Sequence, residues 1–254
     1  VPPIRGLADV PYFTNETIFS NAEPLPHLIV IGGGPIGLEL AQAHRRLGSE
    51  VTVLEGLKAM AKDDPELAAF VLDRLRGEGI DIREATLVEA VEKHGPKITV
   101  TIRRDGRTET LDGSHILLAA GRRPNTADLG LEAAGIACDK AGIKVDAGLR
   151  TTNKIVYAIG DVAGGLQFTH VANDHAGIVI RRILFRLPAK ATGRPVPWVT
   201  FTDPELAHVG LSETEARAAH RKINVLRWPY HENDRAPAER QAHGHIKVVT
   251  TAKG

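Results

Sequence analysis

A chain of 254 residues that is 43% hydrophobic and 25% charged has enough apolar side chains for one large or two small globular domains. Its 32 basic and 31 acidic residues nearly balance, so the composition provides no broad field for binding nucleic acid or an anionic membrane. No apolar run reaches the roughly 20 residues that a membrane-spanning helix needs, and the single cysteine excludes an intrachain disulfide. Both features favour a cytoplasmic protein.

The first regular elements predict a βαβ unit. Residues 28–31 are continuously apolar and end in glycines, which indicates a buried strand. Residues 35–47 place apolar side chains on one helical face, and residues 51–54 form a second buried strand. The next helix is expected to begin at Asp64-Pro65, because an acid at the N-cap and a proline at the first helical position favour initiation.

The following segment predicts an antiparallel insertion in a parallel sheet. Short strands are expected near residues 80–82, 87–91, 98–102 and 107–111. The last two are joined by Asp105-Gly106, which is a strong hairpin signal. The apolar run 116–119 then returns to the parallel sheet. The predicted fold class is therefore α/β, with a Rossmann-like parallel sheet and an inserted antiparallel β-meander.

The second half of the chain predicts less regular structure. Residues 155–159 indicate another buried strand, which reaches a turn at Gly160-Asp161, and a long helix is expected over about residues 174–187. The composition of residues 188–197 indicates a linker. Beyond it, an incomplete α+β unit is predicted, with a helix from Ser212 and strands near residues 199–201, 206–209, 224–227 and 246–249.

The two ends of the chain suggest a piece of a longer protein. The sequence opens without Met, and its last strand-like run, residues 245–251, has no partner strand after it. An unpaired terminal edge of this kind is unusual in a complete domain.

A glycine-rich turn carries the first chemical signal. G-x-G-x-x-G is satisfied between a buried strand and a helix by Gly32, Gly33, Gly34, Pro35, Ile36 and Gly37. Gly32 permits the tight turn, Gly34 lets a pyrophosphate approach the backbone, and Gly37 lets the helix pack closely on the sheet. The helix N-terminus adds free N–H groups for the phosphates. Dinucleotide binding is predicted, and a purely structural turn is the alternative.

An acid in the expected place accompanies the turn. Glu55 ends the next strand about 20 residues further on, where a carboxylate accepts hydrogen bonds from the adenosine ribose hydroxyls. A 2′-phosphate there would meet a like charge without a compensating arginine, so NAD is preferred over NADP. Lys58 is close enough in sequence to keep NADP open as an alternative.

Four motifs occur together in the order and rough spacing of one enzyme family. They are GGGPIGLE at residues 32–39, AAGRRPN at 119–125, IGDV at 159–162 and FTDPELAHVG at 201–210. The chain resembles the class I pyridine nucleotide-disulfide oxidoreductases, in particular those of the dihydrolipoamide dehydrogenase and mercuric reductase type. The resemblance implies the NAD(H)-binding portion of an FAD-dependent enzyme that passes hydride from NADH via FAD to a disulfide or dithiol centre.

The resemblance also implies a domain plan. Residues 1–24 would end the first segment of a split FAD domain, and residues 25–145 would form the NAD-binding domain. Residues 146–196 would be the returning FAD-domain segment. Residues 197–254 would begin an α+β interface domain, through which the complete protein forms a homodimer.

Further site residues follow from the resemblance alone. In relatives, the segment matching Ala119, Ala120, Gly121 and Arg122 lies along the NAD. Glu39 is similar to the acid near their nicotinamide, and the alternative for Glu39 is an acid favoured by the helix dipole in the first turn.

The flavin side is implied in the same way. Asp161, which follows Gly160, matches an aspartate that bonds the ribityl chain of the flavin, and the backbone near Thr169 matches one close to the isoalloxazine ring. A carboxylate suits a polyol because it accepts hydrogen bonds from hydroxyls. For Asp161 the alternative is an ordinary turn aspartate.

The chain also differs from the family, in that several of the family's functional motifs are missing from it. The redox-active cysteine pair, the FAD pyrophosphate glycine motif and the His-Glu pair of the family have no counterpart, so no catalytic residue is assigned. Cys138 is interpreted as a half-buried structural thiol in a turn-like stretch. His243 and His245 alternate on one strand without a third ligand, so they are interpreted as a solvent-facing strand start and no metal is assigned. His170 and His175 are interpreted as helix-start or cofactor-neighbourhood residues.

Two other interpretations remain. The chain could be a stand-alone NAD-binding module without redox turnover, which predicts that its ends are natural. Alternatively, Gly32 to Gly37 could bind the pyrophosphate of FAD. Against the second, IGDV would lie too far along the chain to serve the same nucleotide, and no cysteine motif follows the glycines.

Overall fold

A computed structural model of the chain describes residues 2–191, 195–220 and 222–253. Contacts divide it into two compact units, one of residues 1–121 with 199–254 and one of residues 122–198. The predicted linker at residues 188–197 includes residues 192–194, which lie outside the described residues. The predicted four-part domain plan stays a prediction.

The first part of the first unit alternates strands and helices and then forms a meander. Its elements are β1 (His27–Ile31), α1 (Pro35–Arg46), β2 (Glu50–Leu54), α2 (Pro65–Gly77), β3 (Asp81–Arg83), β4 (Thr86–His94), β5 (Lys97–Arg104), β6 (Arg107–Gly113) and β7 (His115–Leu118). The parallel sheet has the order β3-β2-β1-β7, and β4, β5 and β6 form a separate three-stranded antiparallel sheet. The predicted Rossmann-like sheet with an inserted meander is confirmed.

β1 is continuously apolar because both of its faces are covered. Leu28 and Val30 belong to a core that includes residues of α1 and α2, whereas Ile29 and Ile31 belong to a second core that includes residues of the meander. A strand buried on both faces needs apolar side chains at every position, not at alternate ones.

The local signals for turns and caps are confirmed in this unit. Asp64 accepts a hydrogen bond from Glu66 N and Pro65 is the first residue of α2. Asp105 and Gly106 both have positive φ, 50° and 74°, between β5 and β6. Positive φ at both central residues is the geometry that Asp-Gly favours in a two-residue hairpin.

The second unit contains β8 (Cys138–Asp139), β9 (Gly142–Ile143) and α3 (Thr169–Ile183). The predicted strand over residues 155–159 is wrong, since Ile155 is 87% exposed and Tyr157 forms only an isolated bridge to Arg150. The reason is local: the side chain of Asn153 accepts from Ile155 N, and its carbonyl accepts from Val156 N. Such bonds offer the backbone a turn in place of a strand.

Two further expectations in this unit are corrected. α3 begins at Thr169, earlier than the expected start near residue 174, and ends at Ile183. Cys138 is exposed in β8 and is not half-buried. Its neighbour Asp139 turns the chain by accepting a hydrogen bond from Ala141 N, which leaves the short β8–β9 hairpin at the surface.

The remaining elements belong to the first unit from residue 199 on. They are β10 (Trp198–Thr200), β11 (Leu206–His208), α4 (Glu213–Ala219), β12 (Ile223–Pro229), α5 (Arg235–Ala238) and β13 (His245–Thr251). The predicted strands and the helix start are confirmed, with a capping box between Ser212 and Glu215. β13 pairs antiparallel with the preceding β12.

Ion pairs join α2 to this C-terminal part. The Nζ atom of Lys247 lies 2.7 Å from Asp64, 3.1 Å from Glu66 and 2.9 Å from Glu213. Burial alone would lower the pKa of Lys247, but these hydrogen bonds raise it above its ordinary value. Hydrogen bonds from Arg227 lower the pKa of Glu66 to about 2.

His245 belongs to the same ion-pair cluster. Its Nε2 atom lies 3.1 Å from Glu66 Oε1 and its side chain is 20% exposed. The expected solvent-facing strand start is therefore wrong at this residue.

No helix in the described part of the chain has the length and apolar character needed to cross a membrane.

Candidate functional site

The glycine turn lies where the strand order of the parallel sheet reverses. The chain leaves β1 toward β2 on one side, and β7 pairs with β1 on the other side. Ligands of open parallel sheets bind at the carboxyl end of the strands at such a point. The turn at residues 32–37 occupies that end of β1 and leads into α1.

The three motif glycines have different surroundings. A Cβ atom on Gly32, whose φ is +116°, would lie 2.5 Å from the carbonyl oxygen of Ala119. A Cβ atom on Gly37 would collide with the carbonyl oxygen of Gly32. Around Gly34, by contrast, a Cβ atom would meet nothing within 4 Å. The fold itself thus requires glycine at residues 32 and 37, while Gly34 leaves space for an approaching group.

The first turn of α1 presents backbone donors to that space. Pro35 has no N–H, and among the described residues the N–H groups of Gly34 and Ile36 have no backbone or side-chain acceptor. Unpaired N–H groups at a helix start bind anions, because the helix dipole adds a partial positive charge there.

Glu55 closes one side of the site. Its Oε2 atom accepts from Gly33 N at 2.8 Å, and its Oε1 atom accepts from Leu57 N at 2.9 Å. A carboxylate has about four acceptor positions, so two remain for other donors. No arginine or lysine makes an ion pair with Glu55 in the described part of the chain, and the side chain of Lys58 is exposed.

The segment from Ala119 to Gly121 closes the other side. Ala119 N donates to Ile31 O at 2.8 Å, which extends the pairing of β7 with β1 up to the glycine turn. Gly121 N donates to Ala119 O in a tight turn, and Gly121 has a φ of +99°. The predicted residues Gly32 to Gly37, Glu55 and Ala119 to Gly121 therefore meet at one edge of the sheet.

Glu39 has a structural partner. Its Oε1 atom accepts from Phe201 N at 2.8 Å, so the side chain links α1 to the loop between β10 and β11. One turn further along α1, Gln42 bonds both backbone groups of Asp203, at 2.8 Å each.

The remaining predicted residues lie in the second unit. Gly160 has a φ of +66°, and its N–H donates to His175 Nδ1 at 3.1 Å. The carboxylate of Asp161 lies 3.4 Å from Arg122 Nη1 and is 44% exposed. Thr169 is the first residue of α3. This turn leaves the Asp161 carboxylate able to accept further hydrogen bonds.

One residue near the first site carries no sequence signal. Glu84, between β3 and β4, accepts from Ala59 N at 3.0 Å and pairs with Arg76 at 2.9 Å. Its spacing from the glycine turn matches no motif, so only the folded chain reveals the contact.

Among the residues that the structure describes, no group of three His, Cys, Asp or Glu side chains could hold a metal ion.

Comparisons with known families cover most of the chain. The profile described as "Pyridine nucleotide-disulphide oxidoreductase" matches residues 1–176, and the profile of the dimerisation domain of that family matches residues 196–254. The match to both profiles confirms the resemblance carried by the four motifs.

Named relatives agree with the profiles. Dihydrolipoyl dehydrogenase 3 of Pseudomonas aeruginosa is 38% identical over 89% of this chain and 49% of its own length. Mercuric reductase of Bacillus cereus is 35% identical over 99% of this chain and 40% of its own length. The chain thus spans about half the length of the curated relatives that it matches, or less.

A solved structure has the same fold. The HOCl-induced flavoprotein disulfide reductase RclA from Escherichia coli superposes with a TM-score of 0.91 at 33% identity, over 100% of this chain and 58% of its own. Together with the profile matches, this likeness shows that the chain belongs to the pyridine nucleotide-disulphide oxidoreductase family.

Proposed function

We propose that this chain is the NAD(H)-binding portion of an FAD-dependent oxidoreductase, like dihydrolipoyl dehydrogenase or mercuric reductase. In the whole protein, hydride passes from NADH via FAD to a disulfide or dithiol centre. The main support is the contrast between Gly34, where a Cβ atom would meet nothing, and Gly32 and Gly37, where it would collide with backbone. A turn that served packing alone would not need glycine at residue 34.

In this proposal each part of the first site has one task. The N–H groups of Gly34 and Ile36 bind the pyrophosphate of NAD. Gly33, which precedes them, and Pro35, which lies between them, shape the turn. Glu55 accepts from the ribose hydroxyls with the acceptor positions that Gly33 N and Leu57 N leave free. Ala119, Ala120, Gly121 and Arg122 lie along the bound NAD, and Glu39 contributes near the nicotinamide.

NAD is preferred over NADP. A 2′-phosphate beside Glu55 would place like charges together, and the described arginines of this region pair with other acids, Arg76 with Glu84 and Arg83 with Asp81. Replacing Glu55 by Gln should therefore reduce the preference for NADH over NADPH, and an unchanged preference would contradict this role.

The flavin supplies the electron-transfer chemistry between nicotinamide and disulfide when it is bound. In the proposal Gly160, Asp161 and Thr169 belong to its site. The exposed Asp161 carboxylate accepts from the ribityl hydroxyls, and the left-handed conformation of Gly160 allows the turn that presents it.

The proposed domain plan follows the one stated above, with NAD bound by residues 25–145 and FAD by the segments 1–24 and 146–196. The match of the dimerisation profile to residues 196–254 supports a homodimer formed through residues 197–254. We further propose that the protein is cytoplasmic.

Calorimetry with NADH on this chain tests the proposal. Gly34→Ala should weaken NADH binding at least tenfold, because the added methyl group occupies the space of the pyrophosphate. Gly77→Ala is the matched control, since a Cβ atom at Gly77 also meets nothing within 4 Å but lies at the end of α2. The free energies of unfolding of both variants should lie within about 1 kcal/mol of that of the parent. Absence of heat with NADH from the folded parent chain would contradict the proposal.

A further inference from the structure

The segment of residues 55–60, which follows β2, is tied to the glycine turn at both of its ends. Glu55 Oε2 accepts from Gly33 N at 2.8 Å, and Met60 N donates to Gly33 O at 3.0 Å. Leu57 N donates back to Glu55 Oε1 at 2.9 Å. The orientation of the Glu55 carboxylate therefore depends on the path of this segment.

The linker of residues 83–86, which runs from the last residue of β3 to the first residue of β4, holds the same segment from the other side. Glu55 N donates to Arg83 O, Thr86 N donates to Glu55 O, and Ala85 N donates to Leu57 O at 2.8 Å. One side-chain hydrogen bond supplements these backbone bonds: Glu84 Oε1 accepts from Ala59 N at 3.0 Å.

Glu84 is itself fixed by neighbours. Its Oε2 atom lies 2.9 Å from Arg76 Nη2 on α2, and its carbonyl oxygen accepts from the buried hydroxyl of Thr86 at 3.0 Å. A carboxylate held in this way meets the Ala59 N–H with little loss of side-chain entropy when the bond forms.

The segment and the linker both contain a residue in an unfavourable backbone conformation. Met60 has a φ of 53° and Ala85 a φ of 51°, in the left-handed region that residues with a Cβ atom seldom adopt. Such residues persist only where the surrounding contacts over-determine them. Removal of one hydrogen bond from the segment should therefore raise the population of other conformations, in which Leu57 N no longer orients Glu55.

We infer that Glu84 is a positioning residue for the adenosine ribose of NAD, acting through the N–H of Ala59 on the segment that orients Glu55. The inference rests on the proposed function, because it requires Glu55 to contact the ribose. Glu84 itself touches no coenzyme; it acts on affinity only through Glu55.

The test measures NADH dissociation constants of the folded chain by calorimetry. Glu84→Ala should weaken NADH binding roughly fivefold, the effect of losing about one hydrogen bond. Glu84→Gln keeps an oxygen acceptor for Ala59 N and should stay within about twofold of the parent. If Glu84→Gln binds as weakly as Glu84→Ala, the contact with Ala59 is not the cause and the inference is overturned.

A double-mutant cycle separates positioning from a general structural role. In a chain that already carries Glu55→Ala, adding Glu84→Ala should weaken NADH binding no further, because the group on which Glu84 acts is gone. An equal weakening in both backgrounds would overturn the inference.

Arg76→Met provides a second variant that leaves residues 55–60 untouched. It frees Glu84 Oε2 and otherwise removes only an exposed contact with Asp73, so it should weaken NADH binding about twofold and lose this effect in the Glu55→Ala background. This variant decides the matter if Glu84→Ala does not fold, and an unchanged affinity would then overturn the inference.

The measurements also separate the inference from the proposed function. A parent chain that binds no NADH contradicts the proposed function. If the parent binds NADH and Glu84→Ala binds it equally well, only the role of Glu84 is contradicted.

Discussion

The turn at residues 32–37 is held mainly by backbone contacts, whereas the turn at Gly160 and Asp161 is held mainly by side chains. In the first turn, Gly32 N donates to Leu54 O, Met60 N donates to Gly33 O, and the carbonyl of Ala119 lies against Gly32. In the second, Gly160 N donates to the imidazole of His175, and Asp161 faces the guanidinium of Arg122. Strand pairing specifies the first arrangement, so the glycine pattern alone can indicate it. The second depends on which side chains α3 provides.

The largest effect expected from this difference is at Gly37. Gly37→Ala places a methyl group against the carbonyl oxygen of Gly32, a residue held in place by the bond from its N–H to Leu54 O. The free energy of unfolding should fall by about 3 kcal/mol. Urea unfolding measures it, with Gly77→Ala as the control for a helical glycine whose Cβ meets nothing. If the free energy of unfolding falls by no more than it does for ordinary surface substitutions, the backbone of this turn can shift to accommodate the methyl group.

A smaller effect is expected at Gly160. A Cβ atom there lies 2.9 Å from the Cβ atom of Ala172 and the φ of +66° is unfavourable for alanine. Gly160→Ala should lower the free energy of unfolding of the second unit by about 2 kcal/mol. Gly165→Ala, with a φ of +79° and open space around it, isolates the part due to backbone conformation. Equal losses in the two variants would mean that the contact with Ala172 contributes nothing.

The side chain that holds the second turn should have an effect of about one hydrogen bond. His175→Phe keeps a ring but removes the acceptor of Gly160 N, so we expect a loss of about 1 kcal/mol and faster amide exchange at Gly160. His175→Asn can return an acceptor near the same place and should recover part of the protection. Unchanged exchange in His175→Phe would refute the idea that a side chain holds this turn.

The smallest expected effect is a dependence of stability on pH. It concerns the start of α2 in the first unit, which is also held by side chains. Hydrogen bonds from Arg227 lower the pKa of Glu66 to about 2 from its ordinary 4.5. A lowered folded-state pKa stabilises the fold above pH 4.5, and this stabilisation is lost as the pH falls from about 4.5 to about 2. Because Glu66 is 35% exposed, the loss should stay below about 1 kcal/mol.

The protection factors for amide exchange at the start of α2 should therefore fall in acid, and Glu66→Gln should remove most of that dependence. The amide of Gly32, bonded to Leu54 O, should change less over the same range. An equal fall of the protection factors at both places would contradict the contrast between regions held by backbone bonds and regions held by side chains.

The parallel sheet and the first site were predictable because their signals are local. The run 28–31, the glycines after it and Glu55 each have a required place in a βαβ unit, and sheet geometry brings them together. The Asp105-Gly106 turn and the cap at Asp64 were predictable for the same reason, since each depends on a few neighbouring residues.

The wrong and missing predictions have two causes. The apolar run 155–159 looks like a strand, but the hydrogen bonds made by Asn153 turn the backbone before it. His245 alternates like a solvent-facing residue, yet Glu66, far away in sequence, lies beside it. Glu84 escaped notice because its contact with Ala59 joins two loops that no motif relates. Partners distant in sequence decide His245 and Glu84, and a single sequence does not contain their pairing, whereas a local turn decides residues 155–159.

α1 is attached at more than its glycine end. The bonds of Glu39 to Phe201 and of Gln42 to Asp203 fasten its middle to the entrance of the segment matched by the dimerisation profile. In the proposed homodimer, if a coenzyme tightens the start of this helix and thereby the entrance segment, thermodynamic linkage demands that subunit association raise coenzyme affinity by the same factor. Gln42 and Asp203, which the proposal does not place near the coenzyme, would then help to set how strongly it is bound.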